Sequence, residues 1–228
     1  MEEDGEAVAL ALRTPPWPLL ASEMGAQAAE LLIEAWLRED PDVDALVAPA
    51  QAAAHLAAAW ERARGGHAIL AVEEAAHSLE RVSAPERPAP GTLRAARDSD
   101  RVLLVRWTKE FGRESGNDHG DADSVINRRL QTGGLFIWED AGEPRCMLGV
   151  NIEVAGVVRI GPVYTPPRHR RHGYATSAVA AASEAALQRG ARACMLFTDL
   201  SNPTSNRIYA AVGYERFADW REYRFKRA

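Results

Sequence analysis

Apolar residues recur at helical spacing in two early stretches. Ala29, Leu32, Ile33, Trp36 and Leu37 form one stripe, and Ala53, Leu56, Ala57 and Trp60 form a second behind Pro49. A period near 3.6 with proline at the start predicts two amphipathic helices. Ahead of them, residues 7–12 and 17–20 flank Thr14-Pro15-Pro16 and read as short extended segments around a turn, and residues 68–72 read as a further strand. Trp36 and Trp60 lie on the apolar helix faces, so with Trp17 they are expected to anchor a core and not to form a binding cage.

Three prolines fall within Ser83-Ala84-Pro85-Glu86-Arg87-Pro88-Ala89-Pro90-Gly91, where no periodicity holds. This composition predicts a linker at 85–90 between a module of residues 1–84 and a larger domain, 91–228. Beyond it strands and helices alternate. Residues 92–95 read as a strand and 100–111 and 123–130 as helices; 135–139, 145–154 and 157–164 form three β-rich runs with gaps short enough for antiparallel hairpins. An Ala-rich helix over 173–189 stops at Gly190, a strand at 193–197 follows, a helix over 203–212 ends at Gly213, and residues 214–225 close the chain as strand. The alternation predicts a mixed α/β layer.

Composition narrows the class of protein. With 46% hydrophobic and 26% charged residues, the 228-residue chain has the make-up of a folded protein and not of a disordered one. No apolar run reaches membrane-spanning length, the first residues are acidic where a secretory signal is basic, and Cys146 and Cys194 form neither a CxxC pair nor a four-ligand zinc set. These features predict a cytoplasmic protein without membrane attachment, disulfide scaffold or metal. The net charge of −5 is unevenly spread: residues 1–90 carry 16 Asp and Glu against 6 Lys and Arg, the remainder 16 against 21. The scattered cations of an acidic chain argue against nucleic acid as a partner, and the preference for Arg suits a small anionic ligand.

The chemistry concentrates in Val163-Tyr164-Thr165-Pro166-Pro167-Arg168-His169-Arg170-Arg171-His172-Gly173-Tyr174-Ala175. A strand ends there, a basic loop follows, and a helix begins at a glycine. Free N–H groups of the first helical turn, the helix macrodipole and three arginines make such a segment an anion trap. Gly173 lets a phosphate approach the backbone without meeting a Cβ.

Arg170-x-x-Gly173-x-Ala175 resembles the Arg/Gln-x-x-Gly-x-Gly/Ala signature of the GNAT superfamily of N-acetyltransferases. Asp199-Leu200-Ser201-Asn202-Pro203-Thr204-Ser205-Asn206-Arg207-Ile208-Tyr209, closed by Val212-Gly213-Tyr214, is similar to that family's second signature. The resemblance spans about residues 91–228. It implies an α/β (α+β) fold: a mixed, mostly antiparallel sheet with a splayed parallel strand pair and helices on both faces; the first third lies outside the resemblance and reads from its own pattern as a smaller N-terminal α/β module. It also implies acetyl-coenzyme A as cofactor, entering between the strands at 157–165 and 193–198. Backbone groups at Val163, Tyr164 and Thr165 would hold the acetyl and pantetheine portions. Arg170, Arg171, His172, Gly173, Tyr174, Ala175 and Thr176 would cradle the pyrophosphate, Asn202 and Asn206 would sit beside the pantetheine, and Tyr209 would meet the sulfur. The acceptor would be a primary amine of a small molecule or peptide, attacking directly in a ternary complex.

Two of these residues have competing structural roles. Asn202 before Pro203 is a good helix N-cap whatever the function, and Tyr209 beside Ile208, Ala211 and Val212 suits packing as well as hydrogen bonding to a departing thiolate. The run at 157–164 carries no Asp or Glu, so the base is sought at Glu153 and Asp199, and a coenzyme A-binding regulatory or interaction module stands as the alternative. Asn117-Asp118-His119-Gly120-Asp121-Ala122-Asp123 lacks calcium-hand spacing and reads as a substrate-side loop followed by a helix cap. The apolar helix faces of the first region leave surface for a wall of the acceptor site or a homodimer contact.

Overall fold

The computed structural model describes residues 2, 3, 6–116 and 121–227. In chain order the elements are β1 (Glu2–Glu3), β2 (Glu6–Ala7), β3 (Ala11–Leu12), β4 (Leu19–Ala21), α1 (Ala26–Glu39), β5 (Ala45–Pro49), α2 (Ala50–Arg64) and β6 (His67–Leu79). There follow β7 (Thr92–Ala95), α3 (Arg101–Ser115), α4 (Ala122–Gln131), β8 (Leu135–Asp140), β9 (Glu143–Val150), β10 (Val157–Tyr164), α5 (Tyr174–Gln188), β11 (Ala193–Asp199), α6 (Pro203–Val212) and β12 (Glu215–Lys226). The fold is mixed α/β, mostly antiparallel, with parallel pairs β4–β5 and β10–β11. No helix of the described residues is long and apolar enough to cross a membrane.

The chain forms two compact units: Met1–Ala76 with Asp199–Ser201 and Ala218–Ala228, and His77–Thr198 with Asn202–Phe217. In the first unit, Trp220–Arg224 of β12 pair antiparallel with β5, and β5 pairs in parallel with β4. Its core gathers Leu19, Ile33, Leu46, Leu56 and Trp60, and the Trp60 ring stacks on Phe225 at 4.2 Å. Trp36 packs against this core from its edge, but Trp17 is 38% exposed and does not join it. The strand at Ala45–Pro49 escapes pattern reading because a continuous apolar pentapeptide carries no period of its own.

In the second unit the strands run β11-β10-β9-β8-β7. Alternation sorts their side chains onto two faces. Cys146, Leu148, Val158, Ile160, Cys194 and Leu196 pack with α5. Met147, Ile137 and Tyr164 point the other way, to Leu104 and Trp107 of α3 and Ile126 of α4. The Pro-rich segment 85–90 is not a boundary: it lies inside this unit. The Ala89 N–H donates to Ser177 Oγ at 2.8 Å and Trp138 Nε1 donates to the Pro90 carbonyl at 2.9 Å. Two buried donors thus fasten a segment whose composition alone suggested freedom. The strand expected at 145–154 ends at Val150, so Glu153 lies in an exposed connection beyond it.

Candidate active site

The site begins where two parallel strands part. β10 pairs with β11 at Val157↔Ala193, Val158↔Cys194 and Arg159↔Met195 and no further, although β10 continues to Tyr164 and β11 to Asp199. The register of β10 against β9 also shifts between Ile160 and Val163, and an irregularity of this kind bends a strand out of its ladder. Thr198, near the end of β11, is buried, and its Oγ1 meets no hydrogen-bonding partner among the described residues.

At the end of β10 a short 3₁₀ turn, Pro167–His169, leads to α5. Backbone φ alternates along this loop, −73° at Arg170, +64° at Arg171 and +80° at Gly173. Positive φ is costly for a non-glycine residue, about 1–3 kcal/mol, and alternating handedness turns successive N–H groups toward one point. Gly173 caps α5 without any side-chain bond. The Arg170 N–H is already spent on the Pro167 carbonyl, but those of Arg171 through Thr176 meet no acceptor among the described residues. A Cβ on Gly173 would stand 3.6 Å from Ala89 Cβ and the Arg87 carbonyl, in ordinary contact, so conformation and not space reserves this position for glycine.

Arg171 and Gly173 to Thr176, but not the expected His172, line a cleft of about 750 Å³ whose walls also include Val163, Thr165, Asn202 and Tyr209. Tyr174 and His172 are ring neighbours at 5.7 Å, and the Tyr174 hydroxyl donates to Asp140 Oδ2 at 2.7 Å, which raises its pKa. Tyr209 is 9% exposed; burial, with a smaller contribution from Cys146, pushes its pKa up to about 12. Its ring meets Tyr214 edge-on at 6.1 Å.

The expected site residues do not all converge. Asn202 caps α6, its Oδ1 accepting from the Ser205 N–H at 3.1 Å. Asn206 does not line the cleft, and neither do Glu153 and Asp199; Asp199 accepts instead from the Ser201 N–H at 2.7 Å. The one carboxylate on the cleft wall, among the described residues, is Glu114 of α3, which pattern reading passed over. Its Oε1 accepts from the Tyr164 hydroxyl at 3.0 Å, Glu110 Oε2 accepts from the same hydroxyl at 3.2 Å, and Arg170 Nη2 pairs with Glu114 Oε2. Burial and these two carboxylates push the Tyr164 phenol well above its ordinary pKa. A signal was readable: Glu110 and Glu114 stand four apart on one helix face, a repulsive spacing that calls for a donor from elsewhere. The substrate-side loop expected at 117–123 falls mostly on residues 117–120, outside the described residues. Its cap is observed, with Asp121 Oδ1 accepting from the Asp123 N–H at 3.0 Å.

Comparison with known proteins places this geometry. The profile of the Acetyltransferase (GNAT) family matches residues 101–214, while no curated protein matches the chain. A GCN5-related N-acetyltransferase from Sphaerobacter thermophilus superposes with a TM-score of 0.68 over 98% of this chain and 78% of its own, at 18% identity. One from Kribbella flavida gives 0.63 over 95% and 86%, at 20% identity. A tandem GNAT protein from the clavulanic acid biosynthesis pathway gives 0.61 over 99% and 81%, at 16% identity. At such identities the superpositions establish the fold, and the profile match over half the sequence establishes kinship: the chain belongs to the acetyltransferase (GNAT) family.

Proposed function

We propose that the protein moves an acetyl group from acetyl-coenzyme A to a primary amine by direct attack. The observation that carries this reading is the α5 N-terminus, which no side chain caps and whose residues Gly173 to Thr176, with N–H groups unspent among the described residues, line the same cleft as Tyr209. Such a row of donors, with the macrodipole behind it, suits a pyrophosphate. The unpartnered Thr198 hydroxyl near the parting strands suits an amide-bearing arm.

Bound acetyl-coenzyme A supplies an activated thioester. The chain's part is to orient and to manage charge. The backbone of Val163 and Thr165 holds the acyl end, the turn from Arg171 to Thr176 holds the phosphates, and Tyr209 addresses the sulfur. Burial makes the Tyr209 phenol a weaker acid than a free one, which suits it to donate a hydrogen bond and not to surrender its proton. Tyr209 therefore acts as a hydrogen-bond donor to the developing charge, and stays protonated at neutral pH to do so. Glu114 takes the role of base in place of Glu153 and Asp199, because it alone of these carboxylates lines the cleft. The direct test is amine-dependent thiol release from acetyl-coenzyme A, with the acetylated amine identified by mass.

A further inference from the structure

A second cavity, of about 430 Å³, shares a wall with the cleft: Glu114, Tyr164 and Pro167 line both, whereas Glu110, Arg113 and Arg168 line only the second. At the shared wall the Tyr164 hydroxyl stands between two carboxylates, Glu114 Oε1 at 3.0 Å and Glu110 Oε2 at 3.2 Å. A phenol carries one hydrogen and donates to one of them at a time. With both carboxylates ionised, two contacts share that single hydrogen. One added proton supplies the missing hydrogen, and both contacts then become hydrogen bonds.

The neighbouring groups direct where such a proton goes. Glu114 Oε2 is held by Arg170 Nη2, and Arg170 Nε donates in turn to the Thr165 carbonyl at 2.9 Å. On the far side, Arg106 Nε lies 3.9 Å from Glu110 Oε1, and Arg113 and Arg168 supply the other charges of the second cavity. A guanidinium takes up no proton. Of the hydrogen-bonding partners of Glu114 among the described residues, Tyr164 alone can therefore pass a proton on, and Glu110 stands on its other side to receive one. The Tyr164 ring is buried, and burial with the two carboxylates raises the pKa of its phenol, so it gives up a proton only as it gains another. Chains of this kind polarise one another, which favours a concerted shift.

We infer that Glu114, Tyr164 and Glu110 form a proton relay, which carries the proton lost by the acceptor amine from the cleft to the second cavity. The amine N–H bond breaks with its electron pair left on nitrogen, and the proton goes to Glu114 Oε1. It passes to the Tyr164 oxygen as the phenolic proton moves to Glu110 Oε2, and Glu110 releases it to solvent. The relay rests on the acetyl-transfer reading with Glu114 as base; Tyr164 and Glu110 act through Glu114 and position its proton. The test is amine-dependent thiol release by the full chain at low buffer concentration. Glu110→Gln still accepts from Tyr164 but takes up no proton, so kcat should fall roughly 10-fold or more, with melting temperature and KM for acetyl-coenzyme A near wild type. In Glu110→Ala, formate fits the space left and should restore turnover saturably, while leaving the wild type and Glu110→Gln unaffected. Tyr164→Phe should slow turnover likewise, and the Tyr164→Phe/Glu110→Gln double variant should be no slower than the slower single one, since both cut one chain. Glu110→Gln turning over at the wild-type rate overturns the relay and leaves acetyl transfer standing. A deficit in Glu110→Ala that formate does not restore also overturns it, and assigns Glu110 to charge or packing. Wild-type protein that releases no thiol with any amine removes acetyl transfer, and the relay with it.

Discussion

Tyr209 and Asn202 line the same cleft, yet their surroundings assign them different work. The Asn202 side chain is occupied at the α6 N-terminus by the Ser205 N–H. Asn202→Ala should therefore cost about 0.5–2 kcal/mol in urea unfolding while coenzyme A affinity, by calorimetry, stays within a few-fold; a sharp loss of affinity at unchanged stability would reassign the side chain to the ligand. The Tyr209 hydroxyl, in contrast, has no protein partner among the described residues, and its ring already has its packing against Tyr214. Tyr209→Phe keeps the ring, so stability should change by about 1 kcal/mol at most. Turnover should fall on the order of 10²-fold, as for removal of one preorganised donor, with coenzyme A binding retained. If only the melting temperature moved, Tyr209 would be a packing residue.

At the scale of elements, the proposed function makes the turn from Pro167 to the first turn of α5 the device on which cofactor binding would depend. Gly173→Val forces a β-branched residue to φ +80°, and there the left-handed conformation is strongly disfavoured. The turn should open and desulfo-coenzyme A affinity drop at least 10-fold in a protein that remains folded; calorimetry showing equal affinity would move the phosphate site elsewhere. This turn was legible in the sequence, as were α6, bounded by Asn202-Pro203 and Gly213, and the strands at Thr92–Ala95 and Val157–Tyr164. Each is punctuated by residues whose own conformational limits declare it. The length of β6 was not, since Glu73-Glu74-Ala75-Ala76-His77 has little strand propensity and is held extended by context. Glu114 was only half legible: its spacing from Glu110 is in the sequence, but the phenol and the arginine that answer it are set by how helix α3 meets the sheet.

Over the whole molecule, several buried groups favour their neutral forms together. Burial holds Tyr209 and Cys146 at about 12 and places Tyr164 and Tyr214 higher still. In the unfolded chain the same groups ionise at their ordinary values, near ~8.5 for thiols and ~10 for phenols. Their contribution to stability is thus complete below those values and is lost as pH rises through the folded ones. The melting temperature should hold through pH 8 and decline progressively from about pH 9–10 upward; a melting temperature unchanged to pH 11 would contradict this account of the buried groups. The central claim is catalytic, and one measurement reaches it most directly: release of free thiol from acetyl-coenzyme A by the wild-type protein across a panel of primary amines, with product mass recorded. The account predicts thiol release that depends on the amine, saturates with it, and yields a product heavier by one acetyl group. Tight coenzyme A binding with thiol release no faster than spontaneous hydrolysis for every amine would contradict it and leave the cleft as a binding module.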